Sequence, residues 1–193
     1  MNTSGQRQPL DDAFVLGIYV REVEQQCIFA LNAHEAVIAC MSDIQQTPDA
    51  RSRRGLIEGL FGSLQALLVA GSCVSQLLWG SRTTEEARQP LRDALGAGDS
   101  SPLRSRDLRH DFVHVDDRLD SWARSAHHVF VDCNIGPRGA IVVEGPTQSY
   151  FRNFDPQTWT LTFQDKDYPL KTIVDELTSL EGTAAAWRAS HGH

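Results

Sequence analysis

Two long apolar-periodic segments near the N-terminus, parted by a short break, constrain this chain more than anything else in it. From about Asp11 to Ser42 the positions Leu16, Val20, Val23, Cys27, Ala30, His34, Val37 and Met41 recur at spacings of four and three, the period of one helix face. His34 on this stripe reads as a core or interface histidine. Gln45 to Asp49, with Pro48, reads as a loop. A second, more apolar helix is expected from about Ala50 to Trp79 through Ile57, Leu60, Leu64, Leu67, Val74 and Leu78. Gly55, Gly59, Gly62 and Gly71 each cost up to about 1 kcal/mol against Ala in a helix interior, so they point to close approach of another backbone and a central helix. Arg54, Glu58, Gln65 and Gln76 interrupt its apolar run, which argues against a bilayer span.

A chain of 193 residues, 41% hydrophobic and 22% charged, has the composition of a folded protein built on one main core. No uninterrupted apolar run reaches the eighteen or so residues of a bilayer span, and Met1 to Leu10 is polar, unlike a signal peptide. A soluble, cytoplasmic protein that does not engage membranes is the expectation. The formal charge of −7 excludes broad attraction to nucleic acid or anionic lipid, and leaves two local basic patches. Arg51, Arg53 and Arg54 form one, and Arg104, Arg106 and Arg109 the other. Cys27, Cys40, Cys73 and Cys133 stand far apart with no CxxC pair, so they read as buried free thiols.

Further along, Thr83 and Glu86 have capping-box spacing for a short third helix that Pro90 kinks and Gly96 ends. Ser101 and Pro102 supply an N-cap and first-turn proline for a fourth helix, expected to run to about Arg124. After His127 the period changes. Short β-rich runs at Val129 to Cys133 and Ala140 to Glu144 flank Gly136, Pro137 and Gly139. A hairpin pairs Tyr150 to Phe154 with Thr158 to Gln164 through Asp155 and Pro156. Leu170, Ile173, Val174, Leu177 and Leu180 mark a last amphipathic helix, with a frayed end over Ala184 to His193. The fold class is therefore mainly α: a helical bundle over residues 11–126, carrying a small C-terminal α+β extension, hairpin plus helix, over residues 127–193.

The fourth helix carries the chemistry. Leu108, Phe112, Val115, Leu119 and Trp122 form a narrow apolar stripe. At about 100° per residue, Arg109 falls roughly 100° to one side of Leu108 and His114 roughly 120° to the other, away from that stripe. Arg104, Arg106 and Arg109 sit toward the positive end of the helix dipole, and Asp116, Asp117 and Asp120 toward the negative end. Each such placement costs a few tenths of a kcal/mol, so helix stability does not account for the arginines, whereas a phosphate-bearing ligand or a partner chain does.

The run Arg109-His110-Asp111-Phe112-Val113-His114 resembles the Arg-x4–6-His motif of the HEPN superfamily, including the polar residue after the arginine. The order of elements is similar too, with two long helices before the motif helix, and the resemblance covers about Asp11 to Ala126. It implies a HEPN-like bundle acting as a homodimeric endoribonuclease of the toxin or defence type, without metal or cofactor, leaving 2′,3′-cyclic phosphate ends. Arg109 and His114 are then the catalytic candidates and His110 an assistant. Arg104, Arg106, Arg51, Arg53 and Arg54 become candidates for RNA phosphates, and an antitoxin or other protein partner is implied. A histidine titrating near neutrality can move the proton of a ribose 2′-hydroxyl, and a guanidinium fork can hold the phosphate as charge develops. The alternative within the same resemblance is a noncatalytic nucleotide- or RNA-binding or protein-assembly module.

Other candidates are weaker. Asp116 and Asp117 diverge on a helix, and Asp165-Lys166-Asp167 reads as a turn between hairpin and helix. His127, His128 and Cys133 lack a second ligand pair, and His191 and His193 read as adventitious metal binders, so no metal site is assigned. No Walker loop, dinucleotide loop or Gly-x-Ser-x-Gly elbow occurs, and Gly136-Pro137-Arg138-Gly139 reads as a turn. The aromatics Tyr150, Phe151, Phe154 and Trp159 are assigned to the core.

Overall fold

A computed structural model describes residues 9–113, 119–120, 122–124, 129–140 and 148–192. The protein is mainly helical with a small C-terminal sheet. Helix α1 spans Ala13–Gln46, and the Asp12 carboxylate caps it by accepting from the backbone N–H of Phe14 (2.8 Å) and Val15 (3.2 Å). After Thr47-Pro48-Asp49, helix α2 spans Ala50–Trp79, capped by Asp49, which accepts from Ser52 N–H at 2.7 Å. So short a link makes antiparallel neighbours of the two helices. Val20, Val23, Cys27, Ala30 and Val37 of α1 meet Leu60, Leu64, Leu67, Leu68, Val74 and Leu78 of α2 in one buried core. Both helices are long and apolar enough to cross a bilayer; in this fold 50% of the most apolar window of α2 and 17% of that of α1 are buried.

The glycines of α2 depart from expectation. Gly55 and Gly62 are exposed and have nothing near their missing side chains. Gly59 lies near the Cys40 thiol, and Gly71 abuts the side chains of Leu103, Ile173 and Leu177. What approaches α2 is side chains at two of the four positions, not another backbone.

Thr83 and Glu86 do not form a capping box. Thr84 instead closes a turn by accepting from Ser81 N–H (2.8 Å), ahead of a 3-10 turn at Glu86–Arg88 and helix α3, Gln89–Leu95. Gly96, at φ 65°, ends α3 in the left-handed cap that glycine favours. Arg92 of α3 is buried, its guanidinium donating to the carbonyls of Leu78 (2.8 Å) and Glu85 (2.9 Å) and to Gln89 Oε1 (2.6 Å).

The fourth helix also opens differently. Ser101 and Pro102 start a 3-10 turn, Pro102–Arg104, and the extended backbone of Ser105 breaks it from helix α4, Arg106–Val113. Residues 119–120 and 122–124 are helical as well. Leu108 and Phe112 are buried as expected, while Leu119 is exposed and so leaves the expected stripe. Val115 lies outside the described residues.

Strands β1 (Val129–Val131) and β3 (Gln148–Tyr150) pair in parallel. A second sheet has the order β2-β4-β5-β6, formed by Asn134–Ile135, Arg152–Asp155, Thr160–Phe163 and Lys166–Pro169, with β2 parallel to β4 and the other pairs antiparallel. The β4–β5 hairpin forms with narrower bounds than expected: Tyr150 belongs to β3 of the other sheet, Thr158 and Trp159 lie in the turn, and Gln164 begins the next turn. The run Asp165 to Asp167 is not merely a turn into the last helix: Gln164 and Asp165 turn the chain, and Lys166–Pro169 is a further strand. Most of the expected Ala140 to Glu144 run lies outside the described residues, whereas Pro137 to Ala140 form a turn closed at 3.1 Å. Tyr150 and Phe154 are buried and Phe151 and Trp159 pack against the core, with Trp159 on the His34 ring at 5.2 Å.

Helix α5, Leu170–His191, lies along α1 and buries Leu170, Ile173, Leu177, Leu180 and Ala184 in the common core. Its end is not frayed at Ala184. Arg188 ion-pairs with Glu24 of α1, and the helix runs on to a left-handed cap at Gly192.

Candidate functional site

Helix α4 is held by the strands that follow it. Leu108, Asp111 and Phe112 are buried, a spacing of three and four that turns one face of α4 inward. Phe112 stacks on Phe163 of β5 (5.0 Å between ring centres) and meets Tyr168 of β6 edge-on (5.3 Å). A carboxylate buried beside these rings needs charged or hydrogen-bonding partners. Asp111 has them in β6: Lys166 Nζ lies 3.0 Å from its Oδ2, and the Tyr168 hydroxyl donates to the same oxygen. Lys166 also reaches Asp107 Oδ1 at 3.4 Å, one turn earlier on α4. One strand of the extension thus grips the helix that carries the motif.

A cavity of about 450 Å³ opens where α4 begins and β6 passes into α5. Leu108, Pro169 and Ile173 supply apolar wall, and Asp107, Lys166 and Tyr168 supply polar groups.

The backbone of Arg106, Arg109 and His110 lies in α4, and His114 lies outside the described residues. Arg104 bridges Glu85 (3.0 Å) and Asp99 (2.8 Å). Arg53 donates to the Pro48 carbonyl (2.6 Å), Arg54 pairs with Glu58 (3.1 Å), and Arg51 is exposed. The two basic patches do not converge. Ser75, which donates to the Leu103 carbonyl, marks the level of the second patch on α2, and Arg53 stands 22 residues before it, roughly 33 Å along the helix.

Asp116, Asp117, His127, His128 and His193 lie outside the described residues. His191 stacks on Trp187, with 4.1 Å between ring centres. Among the described residues no three His, Cys, Asp or Glu side chains cluster as metal ligands. Of the thiols, Cys27 is pushed up to about 12, by burial first and then by the carboxylates of Glu181, Glu176 and Glu24. Burial likewise raises Cys73 and Cys133 above the ordinary thiol value. None of the three is poised as a nucleophile.

Sequence reasoning missed the roles of Asp111, Lys166 and Tyr168. It treated Asp111 as one more polar motif position, although it stands three residues after Leu108 and beside Phe112, where the inward face had to fall. Asp165 was missed as well. It accepts from Tyr150 N–H (2.8 Å) and from the Trp122 indole (3.0 Å), tying the helical segment at 122–124 to the sheet.

Comparison of the chain with family models, with curated proteins and with solved structures finds no match.

Proposed function

We propose that the chain is a HEPN-like, metal-independent endoribonuclease working as a homodimer in the cytoplasm, with Arg109 and His114 as the catalytic pair and His110 assisting. What supports the reading is the anchoring of α4. Its inward positions Leu108, Asp111 and Phe112 are fastened to the core and to β6, so the segment bearing the motif starts from a rigid seat. By helical spacing, positions 109 and 110 follow the buried Leu108 at about 100° and 200°.

In the reaction, the ribose 2′-oxygen attacks the adjacent phosphorus and the bond to the 5′-oxygen of the next nucleotide breaks, giving a 2′,3′-cyclic phosphate and a 5′-hydroxyl. His114 moves the proton, and Arg109 holds the non-bridging oxygens through its fork of donors. Wild type is expected to cleave RNA in excess chelator. His114→Ala should lower the rate by about 10²- to 10⁴-fold while the circular dichroism spectrum is retained. Undiminished cleavage in His114→Ala removes this reading.

The dimer belongs to the reading, and α1 offers apolar side chains for it. Phe14, Ile18 and Phe29 of α1 are 68%, 53% and 51% exposed, and at about 100° per residue they fall within roughly 60° of one another. Phe14 and Ile18, one turn apart, make a small exposed apolar patch that Arg21 and Gln25 separate from Phe29, and a second copy of the chain would cover it. It serves equally the second reading, a noncatalytic assembly module, which takes precedence if the dimer forms and no RNA is cut. Light scattering at micromolar concentration tests the dimer, and a monomer throughout counts against both readings.

A further inference from the structure

We propose that the cavity between the start of α4 and the β6–α5 junction is a base-reading site for guanine. It rests on the ribonuclease reading for its RNA context. A volume of about 450 Å³ suits a small ligand. Leu108, Pro169 and Ile173 offer the apolar surface against which a flat heterocycle packs.

The two carboxylates of the cavity disfavour a phosphate as the group bound inside it. Asp107 and Asp167 both line it, and Lys166, the one cation among the described lining residues, is already shared with Asp111. The ligand must therefore present donors to a carboxylate and an acceptor to an ammonium.

Counting hydrogen-bond capacity narrows it further. An ammonium has three donors; Lys166 donates one to Asp111 (3.0 Å) and pairs by charge with Asp107 at 3.4 Å, which leaves donor capacity for a ligand. Asp107, its side chain 62% exposed, has one oxygen near Lys166 and most of its acceptor capacity turned outward. Side by side, the two groups present acceptor, acceptor, donor. The Watson–Crick edge of guanine is the complement, with N2–H and N1–H donating and O6 accepting. Adenine and cytosine each offer one donor beside an acceptor, and uracil sets its single donor between two acceptors, so each turns an acceptor toward the Asp107 carboxylate. Reading a splayed base by its Watson–Crick edge is how proteins recognise single-stranded RNA. Asp107 stands two residues before Arg109, about 3 Å along the axis of α4 and roughly 200° around it, so base and phosphate would be read from opposite sides of one helix.

The test is calorimetric titration of the full chain carrying His114→Ala with the 5′-monophosphates of guanosine, inosine, adenosine, cytidine and uridine, which share ribose and phosphate. The guanosine nucleotide is expected to bind at least about tenfold tighter than those of adenosine, cytidine and uridine, with inosine, which lacks the N2 amino group, between. Asp107→Asn should abolish that preference without moving the thermal transition, because the residue is exposed. Equal affinity for all bases, no binding at millimolar nucleotide, or a preference that survives Asp107→Asn overturns the proposal. The two readings fail separately. Selective, Asp107-dependent binding in a chain that cuts no RNA leaves the guanine site and removes the ribonuclease; cleavage at equal rates beside all four bases does the reverse.

Discussion

Asp111 shows how one buried charge organises its surroundings. Its carboxylate receives Lys166 and the Tyr168 hydroxyl, so replacing it takes the acceptor from both at once. Asp111→Ala is expected to cost about 2 kcal/mol by urea denaturation, in line with a buried donor that loses its partner. Cys27 makes a pH-dependent contribution. Its thiol is pushed from 9.0 to about 12, so the folded state disfavours the thiolate that the unfolded chain forms freely above pH 9. The sign follows: the contribution is fully present below 9 and is lost as pH rises from 9 toward 12. Cys27→Ala should flatten the fall in stability measured by urea denaturation between pH 8 and 10.5, and a curve as steep as that of the wild type would refute the assignment. At pH 8 a thiol reagent should leave Cys27 of the native protein unmodified.

At the scale of elements, the turn between β5 and β6 is built from residues that do not favour it. Gln164 and Asp165 have φ of 50° and 62°, the twin left-handed conformation of a type I′ hairpin, which Asn-Gly sequences ordinarily supply. The turn persists because it is held from outside. Gln164 N–H donates to the Phe151 carbonyl (2.8 Å), Asp165 N–H donates to the Tyr150 carbonyl (2.9 Å), and the Asp165 carboxylate accepts from Tyr150 N–H. Relieving the strain without touching these bonds should stabilise the protein. Gln164→Asn is expected to raise the melting temperature by a degree or two, and Gln164→Val to lower stability by at least about 1 kcal/mol, because a β-branched residue resists positive φ. Equal melting temperatures for the two variants would show that the turn carries no strain.

For the whole molecule, α5 decides how the extension relates to the bundle. Leu177 is fully buried and reaches Gly71 of α2, and Arg188 ties the far end of the helix to Glu24 of α1. The last helix therefore completes the core that the first two begin. Leu177→Ala should cost about 3 kcal/mol by chemical denaturation. Removal of everything after Ala126 should leave a chain without a cooperative transition, and a truncated protein that melts cooperatively would show that residues 11–126 are self-sufficient.

Periodicity by itself determined the long elements. The four-and-three spacing of Val20, Val23, Cys27, Ala30 and Val37 repeats over enough turns that no strand or loop reading competes, and α2 begins and ends where Asp49 and Gly80 cap it. The β-rich runs on either side of Asp155 and Pro156 likewise indicated the β4–β5 hairpin, though not its burial: Trp159 falls in the turn at φ 51°, and Thr162 is buried with Leu161 and Phe163. Short elements were not legible in the same way. A four-residue strand such as β6 offers too few positions for a period to show, and its place follows from pairing with β5 and from Lys166 and Tyr168 reaching Asp111. The motif Arg109 to His114 could be read as a string, and the spacing of Asp111 from Leu108 put it near the inward face, but the partners beside which it comes to rest could not be read. That depended on where Phe163 and Tyr168 come to lie, more than fifty residues later in the chain. The end of α5 is the same case: Ala184 to His191 looks weak as an isolated helix end, and only the neighbouring α1 supplies the burial and the Glu24 carboxylate that keep it wound. Local sequence sets which segments wind or pair, because backbone hydrogen bonds and side-chain period act between near neighbours. Which polar side chain is buried, and beside what, is settled by contacts distant in sequence, and only the tertiary structure brings those together.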